Sequence, residues 1–146
     1  MQFDIKFVEN PSDEDIQILA NGIDSFSKSI IPRGDKISLT FFLINENGQI
    51  DGGVYGNYSS YNWLYIQALW VSETVRTGGY GRLLMNAIEQ KAVESSCTAA
   101  YLDTFSFQAP NFYKKLGYKV FGELKDFPTG HSRIFLSKQL ISTELK

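Results

Sequence analysis

The sequence predicts an α/β protein: a central mixed sheet, mostly antiparallel and seven-stranded, flanked by helices on both faces. Helical apolar patterns interrupt the strand patterns, which gives the predicted order β α β β β α β α β β. The strand over residues 63–71 is apolar or aromatic on both faces, as expected of a central strand that is covered on both sides. Its connection through a helix to the next strand predicts a parallel pair, whereas residues 37–71 predict an antiparallel meander.

The first half of the chain contains four of these strands and one helix. Residues 2–8 alternate between apolar and polar side chains, which predicts the first strand. Ser12 is a suitable helix N-cap, because three carboxylates follow it in the first turn and interact favourably with the helix dipole. The apolar stripe that follows predicts a helix over residues 12–27. Three strands come next, at residues 37–44, 49–56 and 63–71.

The second half alternates helices with strands. After a polar turn with three glycines, an apolar stripe predicts a helix that ends near Ser95. A second, short helix over residues 108–116 begins near Pro110 and is stopped by Gly117. The remaining strands are predicted at residues 97–104, 118–124 and 132–137.

Length, composition and charge exclude several functional classes. The 146 residues predict one domain over residues 1–146. A net charge of −2 gives no basic surface for nucleic acid. Neither a signal peptide nor an apolar run long enough for a membrane is present, so we expect a cytoplasmic protein without a membrane partner. The single cysteine excludes an internal disulfide and a Cys-rich zinc site, and we expect no metal.

The segment Leu69–Gly81 carries most of the functional information. Glycines let a phosphate approach the backbone, and the first N–H groups of the following helix point at such a ligand without intrahelical partners. The segment lacks both the lysine of a Walker A loop and the third glycine of a dinucleotide fingerprint. Strand, glycine-rich turn and helix therefore predict a pyrophosphate site without naming the cofactor.

One motif in this segment resembles a family signature. Arg76-x-x-Gly79-x-Gly81 resembles the Arg/Gln-x-x-Gly-x-Gly/Ala loop with which the GNAT N-acetyltransferase superfamily holds the pyrophosphate of acetyl-CoA. The element order over about residues 3–137 is similar to that of the family. The resemblance implies a GNAT-like (acyl-CoA N-acyltransferase) fold. It also implies transfer of an acetyl group from acetyl-CoA, as co-substrate, to a primary amine.

A second motif resembles the same family. Tyr113-x-x-x-Gly117-Tyr118 is similar to its Tyr-x-x-x-Gly-Phe/Tyr signature, in the family's order and at its usual separation from the first motif. By resemblance, Tyr113 is the general acid that protonates the departing thiolate in a direct transfer. Ser106 stands where many relatives carry an Asn that contacts the CoA arm.

The resemblance also implies how the donor is held. Backbone groups of Leu69 and Val71 would pair with the pantetheine arm like an added strand. The backbone N–H groups that would hold the pyrophosphate are those of Arg76, Thr77, Gly78, Gly79, Tyr80, Gly81 and Arg82.

The acceptor side is open. Relatives often place a Glu where this chain has Tyr65, which is a poor base at neutral pH, and Gln67 on the same face is no base. Other candidate bases are Asp51, Glu73, Asp103 and His131; alternatively, the amine arrives already neutral. Tyr65, Gln67 and His131 are the predicted acceptor-site residues. The acceptor itself is a small-molecule amine or a protein amine.

The sequence also fits other functions. A non-catalytic domain of the same fold would bind acyl-CoA or a protein partner, and the missing Glu favours it. A nucleotide-binding α/β domain is a further alternative. Cys97 would serve an acyl-enzyme mechanism, but we favour a small buried hydrophobe that starts the fifth strand. The sequence leaves a homodimer open.

Overall fold

The structure is a computed structural model that describes residues 2–141. The chain divides into two compact units between Gly34 and Asp35. The first unit contains helix α1 (Asp13–Lys28). The hydroxyl of Ser12 accepts a hydrogen bond from the N–H of Asp15 at 3.1 Å, which confirms the predicted N-cap.

The predicted strand over residues 2–8 is wrong. These residues have no regular secondary structure, and none of the strands in the described chain includes them. Alternation of apolar and polar side chains indicates an amphipathic extended segment, but a strand also needs a partner for its backbone groups. The sheet therefore has six strands, one fewer than predicted.

The second unit is built on that six-stranded mixed sheet. Its strands are β1 (Ile37–Ile44), β2 (Ile50–Tyr58), β3 (Trp63–Val71), β4 (Ala99–Phe105), β5 (Lys119–Lys125) and β6 (Ser132–Gln139). Its helices are a 3₁₀ helix (Glu73–Gly78), α2 (Tyr80–Glu94) and α3 (Pro110–Lys115). The strands lie in the order β1-β2-β3-β4-β6-β5, and only β3 and β4 pair in parallel. The mixed, mostly antiparallel sheet and its parallel crossover are thus as predicted.

Helix α2 packs on one face of the sheet and forms the core with it. Leu64 of β3, Leu102 of β4 and Ile88 of α2 are buried in one apolar cluster. This packing fixes the start of α2 relative to the end of β3, between which the glycine-rich turn lies. No helix within residues 2–141 is long and apolar enough to cross a membrane.

A β-bulge in β3 changes which residues face the core. The register between β2 and β3 skips Gln67, so this residue is the extra one of the bulge. Gly56 permits it, because a Cβ there would lie 2.5 Å from the carbonyl oxygen of Tyr65. Strict alternation along the strand predicts Leu69 and Val71 on the face of Tyr65. This prediction is wrong, because past the bulge both residues pack against the core cluster.

Strands β3 and β4 pair only at their beginnings. The parallel register joins residues 63–65 to residues 99–101, and beyond it the two strands are no longer hydrogen-bonded. A gap therefore opens in the middle of the sheet towards the carboxyl ends of both strands. In α/β sheets this is the edge at which ligands bind.

Candidate active site

The gap between the ends of β3 and β4 is a cavity of about 310 Å³, which we call the cleft. Both strands and the start of α3 form its walls. Its lining includes Gln67, Ala68 and Leu69 from β3, Asp103 and Thr104 from β4, and Tyr113 from α3. Because β3 has no β4 partner here, backbone groups along its edge are free to bond a ligand.

A second cavity, of about 580 Å³, extends along the end of β3 and is called the donor cavity. Leu69 and Tyr113 line both cavities, so the two adjoin. The residues that the sequence assigned to the donor and that line the donor cavity are Leu69, Val71, Arg76, Gly79, Gly81 and Arg82. The structure thus gathers most of the predicted donor residues around one space.

The glycine-rich turn opens into the donor cavity. Gly79 is the N-cap of α2 and has φ +78°, a left-handed conformation that glycine adopts without a steric penalty. A Cβ at Gly79 would meet nothing within 4 Å, so the turn is open on that side. The first N–H groups of α2, which have no intrahelical partner, begin directly after this residue. An anion bound here would be stabilised by those donors and by the helix dipole.

Some predicted donor residues lie outside the lining of this cavity. They are Thr77, Gly78, Tyr80 and Ser106. The hydroxyl of Ser106 accepts a hydrogen bond from the N–H of Ser132 at 2.9 Å, so it ties the end of β4 to the start of β6. Arg76 does line the cavity, but its Nε donates to the carbonyl of Val71 at 3.1 Å. Its side chain therefore braces the turn, and donor binding by these residues stays a prediction.

Tyr113 lies where the cleft and the donor cavity adjoin. Its ring packs edge-on against the rings of Phe112 and Tyr118, with centroids 5.1 and 6.1 Å away. Burial raises the pKa of the Tyr113 hydroxyl above its ordinary value of about 10. The hydroxyl is therefore protonated at neutral pH and able to donate a proton.

Tyr65 stands at the position where the family resemblance implies a Glu, and it is not a base. Its hydroxyl lies 3.5 Å from Oδ2 of Asp103. Burial, followed by the negative charge of Asp103, raises the pKa of Tyr65. A protonated phenol at neutral pH cannot accept the proton of an amine, as the sequence predicted.

Of the other predicted acceptor residues, the structure brings one into the cleft. Gln67 lines it, since the bulge turns this residue out of the ladder with β2. His131 does not line either cavity. It is exposed, and its ring packs edge-on against Phe107 with centroids 4.9 Å apart.

Among the four candidate bases, Asp103 alone lines the cleft. Oδ2 of Asp51 accepts a hydrogen bond from the side-chain amide of Asn45 at 3.0 Å, in the hairpin between β1 and β2. Glu73 is an exposed partner of Arg76 at 4.0 Å. Asp103 is therefore the one candidate base that lies in the cleft.

Cys97 is a core residue. It is 1% exposed, lies just before β4, and lines neither cavity. Burial raises the pKa of its thiol, which keeps the thiol protonated and weakly nucleophilic. The preferred interpretation of Cys97 as a small buried hydrophobe is confirmed, except that the strand begins at Ala99.

Comparison with known proteins decides the family. The model of the acetyltransferase (GNAT) family matches residues 13–118. The chain belongs to this family. Blasticidin-S acetyltransferase from Streptomyces morookaense is 33% identical over 100 residues, which cover 68% of this chain and 73% of that protein.

Solved structures agree. The crystal structure of an acetyltransferase from Bacillus cereus ATCC 14579 is 39% identical and has a TM-score of 0.84, covering 92% of this chain and 97% of that one. A protein from Bacillus anthracis, solved with acetyl coenzyme A, shares the fold at 22% identity and a TM-score of 0.62, over 70% of this chain and 62% of that one. The GNAT resemblance, the fold class and the acyltransferase class are thus confirmed.

Sequence reasoning missed three polar residues of this GNAT acetyltransferase, Thr104, Gln108 and Arg133. The side-chain oxygen of Gln108 accepts hydrogen bonds from the N–H of Phe105 at 3.0 Å and from the hydroxyl of Thr104 at 3.3 Å. These bonds fix the loop that forms one wall of the cleft. Arg133 reaches Asp103 because β6 pairs with β4, and no local sequence signal gives that pairing.

Proposed function

We propose that this enzyme moves the acetyl group of acetyl-CoA directly to the primary amine of a small molecule, with Tyr113 as the general acid. The position of Tyr113 between the donor cavity and the cleft carries the proposal. A relative whose name gives blasticidin-S as its substrate supports a small-molecule acceptor over a protein amine.

The donor fits along the end of β3. Backbone groups at Leu69 and Val71 would pair with the amides of the pantetheine arm as an added strand would. The glycine-rich turn and the first N–H groups of α2 would hold the pyrophosphate, and Arg82 adds a positive charge beside them. This arrangement brings the thioester to the place where the two cavities adjoin.

The transfer needs only the amine, a backbone N–H of β3, Tyr113 and solvent. The amine nitrogen attacks the thioester carbon, and a backbone N–H on the free edge of β3 stabilises the developing oxyanion. As the carbon–sulfur bond breaks, Tyr113 gives its proton to the thiolate. The nitrogen releases one proton, and solvent returns one proton to Tyr113. The products are the N-acetylated amine and free CoA.

A charge at Gly79 tests the donor site. Gly79→Asp should raise the KM for acetyl-CoA at least about tenfold relative to Gly79→Asn, because it places a negative charge beside the pyrophosphate. Asp and Asn both tolerate the left-handed conformation and have nearly the same shape, so the pair differs in charge alone. Thiol release from acetyl-CoA with a panel of small amines measures it. Equal KM values for the two variants would contradict the proposed donor site.

A further inference from the structure

We infer that Asp103 binds the ammonium group of the acceptor, so that this enzyme selects acceptors that are cations. The inference rests on the proposed function, since it concerns the acceptor side of the same cleft. Among the described residues that line the cleft, Asp103 is the only one with a charged side chain. Arg133 is paired with Asp103 but does not line the cleft, so the charge that the lining presents to a ligand is negative and favours a cation.

The two oxygens of Asp103 have different partners. Oδ1 accepts a hydrogen bond from Nε of Arg133 at 2.9 Å. Within residues 2–141, the one hydrogen-bond partner of Oδ2 is the hydroxyl of Tyr65 at 3.5 Å, which is longer than an ordinary O–H···O bond of about 2.5–3.0 Å. Since a carboxylate offers about four lone pairs, Oδ2 retains capacity for a strong donor. The side chain is 17% exposed, so such a donor would be largely shielded from water.

Arg133 holds the carboxylate without covering it. Its guanidinium lies over three phenylalanine rings, with centroids 5.2–6.0 Å away; these are Phe105, Phe127 and Phe135. These contacts orient the side chain, which meets Asp103 through Nε. Oδ2 therefore stays available to the acceptor.

The surroundings of Oδ2 suit an ammonium group. Tyr65, whose hydroxyl is the neighbour of Oδ2, stacks on Tyr101 with ring centroids 4.9 Å apart. Aromatic faces attract cations through the ring quadrupole. Tyr65, predicted from the sequence as an acceptor-site residue, would thus contribute through its ring and through its hydroxyl.

The position of Asp103 fits an attacking amine. Asp103 and Gln67 each lie two residues beyond the last paired residues of β4 and β3, so both border the opening of the cleft. Strand alternation directs Asp103 away from the face of Leu102, which packs in the core with α2. Tyr113 packs against that core. The bound ammonium must first release one proton, to solvent at the opening of the cleft, because only the neutral amine has a lone pair. That amine then approaches the thioester from the face opposite Tyr113.

Titration by protein-observed NMR tests the assignment on the full chain bound to CoA. n-Butylammonium chloride should shift the backbone amides of Asp103 and Gln67 saturably, and 1-butanol, of similar shape, should not. Asp103→Asn should weaken butylammonium binding at least about tenfold, the size of one charge-assisted hydrogen bond. Asn keeps an oxygen for Arg133, so the fold is retained. Asp51→Asn, which neutralises a carboxylate outside the cleft, is the matched control and should bind as the wild type does.

Two results would overturn the assignment. One is equal shifts from butylammonium and from butanol; the other is unchanged butylammonium affinity in Asp103→Asn. The donor site is monitored separately by the shifts that CoA alone causes at Gly79 and Gly81. If CoA causes none, the proposed function fails, whereas the comparison of the two probes in the CoA-free protein still decides the role of Asp103.

Discussion

Replacing Tyr113 with phenylalanine should lower kcat by about 10²- to 10⁴-fold, the usual contribution of a general acid. The phenol packs between two aromatic rings, and phenylalanine keeps that packing while it removes the proton donor. Acetyl-CoA affinity should stay within about twofold, because the hydroxyl acts on the thiolate that develops in the transition state. Steady-state thiol release and calorimetric titration with acetyl-CoA measure the two quantities.

The control for this variant is Tyr58→Phe, a half-buried tyrosine that packs against the core and lines neither cavity. Its kcat should match that of the wild type. Because burial raises the pKa of Tyr113, the protonated form that acts as acid persists to a higher pH than an exposed tyrosine would allow. Ionisation of Tyr113 should therefore reduce kcat only above about pH 10. An unchanged kcat in a folded Tyr113→Phe enzyme would refute the general-acid role.

Replacing Lys138 with methionine should destabilise the fold by about 2–4 kcal/mol, because it leaves a charged Glu89 without its partner inside the protein. Glu89 is 8% exposed, and its Oε1 lies 2.6 Å from Nζ of Lys138. The hydroxyl of Tyr118 donates to Oε2 at 3.0 Å. Burial and the charge of Glu89 raise the pKa of Tyr118 well above its ordinary range, which keeps this donor protonated. Urea unfolding measures the free-energy change.

Two further variants separate the loss of the pair from the loss of a lysine. The double variant Glu89→Gln/Lys138→Met removes both charges and keeps an acceptor for Tyr118, so most of the stability should return. Lys91→Met breaks an exposed ion pair with Glu94 and should cost less than about 1 kcal/mol. A double variant as unstable as Lys138→Met alone would show that the buried charge is not the cause.

This polar cluster also connects stability to the active site. Glu89 lies on α2, Lys138 on β6, and Tyr118 directly before β5. The ring of Tyr118 packs edge-on against that of Tyr113 at 6.1 Å. The cluster therefore positions the ring of Tyr113, the proposed general acid. Lys138→Met should lower kcat by a larger factor than it lowers the fraction of folded enzyme.

Local sequence signals predict much of this fold because most elements have a local cause. The bounds of β3 follow from an apolar run that stops at Ser72, and α2 begins directly after Gly79, whose φ of +78° suits glycine. The alternation of apolar and polar side chains over residues 2–8 is also a local signal, but the strand that it predicts does not form. A strand needs a pairing partner elsewhere in the chain, which a local signal does not supply.

The candidate site likewise has one part that local sequence signals predict and one part that depends on contacts between distant segments. The predicted donor side is one contiguous segment, from Leu69 to Arg82, together with one short helix, so motif spacing is sufficient to predict it; six of the ten predicted residues line one cavity. The proposed acceptor side depends on the bulge at Gln67 and on the ion pair of Asp103 with Arg133, thirty residues away in the chain. Both result from strand register, which the sequence of a single strand does not determine.

A crystal structure with bound CoA tests the central claim most directly. We expect the pantetheine arm along Leu69 and Val71, with the pyrophosphate at the glycine-rich turn. We expect the CoA sulfur within hydrogen-bonding reach of the Tyr113 hydroxyl, about 3–3.5 Å or one water away. CoA bound elsewhere, or a sulfur separated from that hydroxyl by the width of a side chain, would contradict this account of the active site.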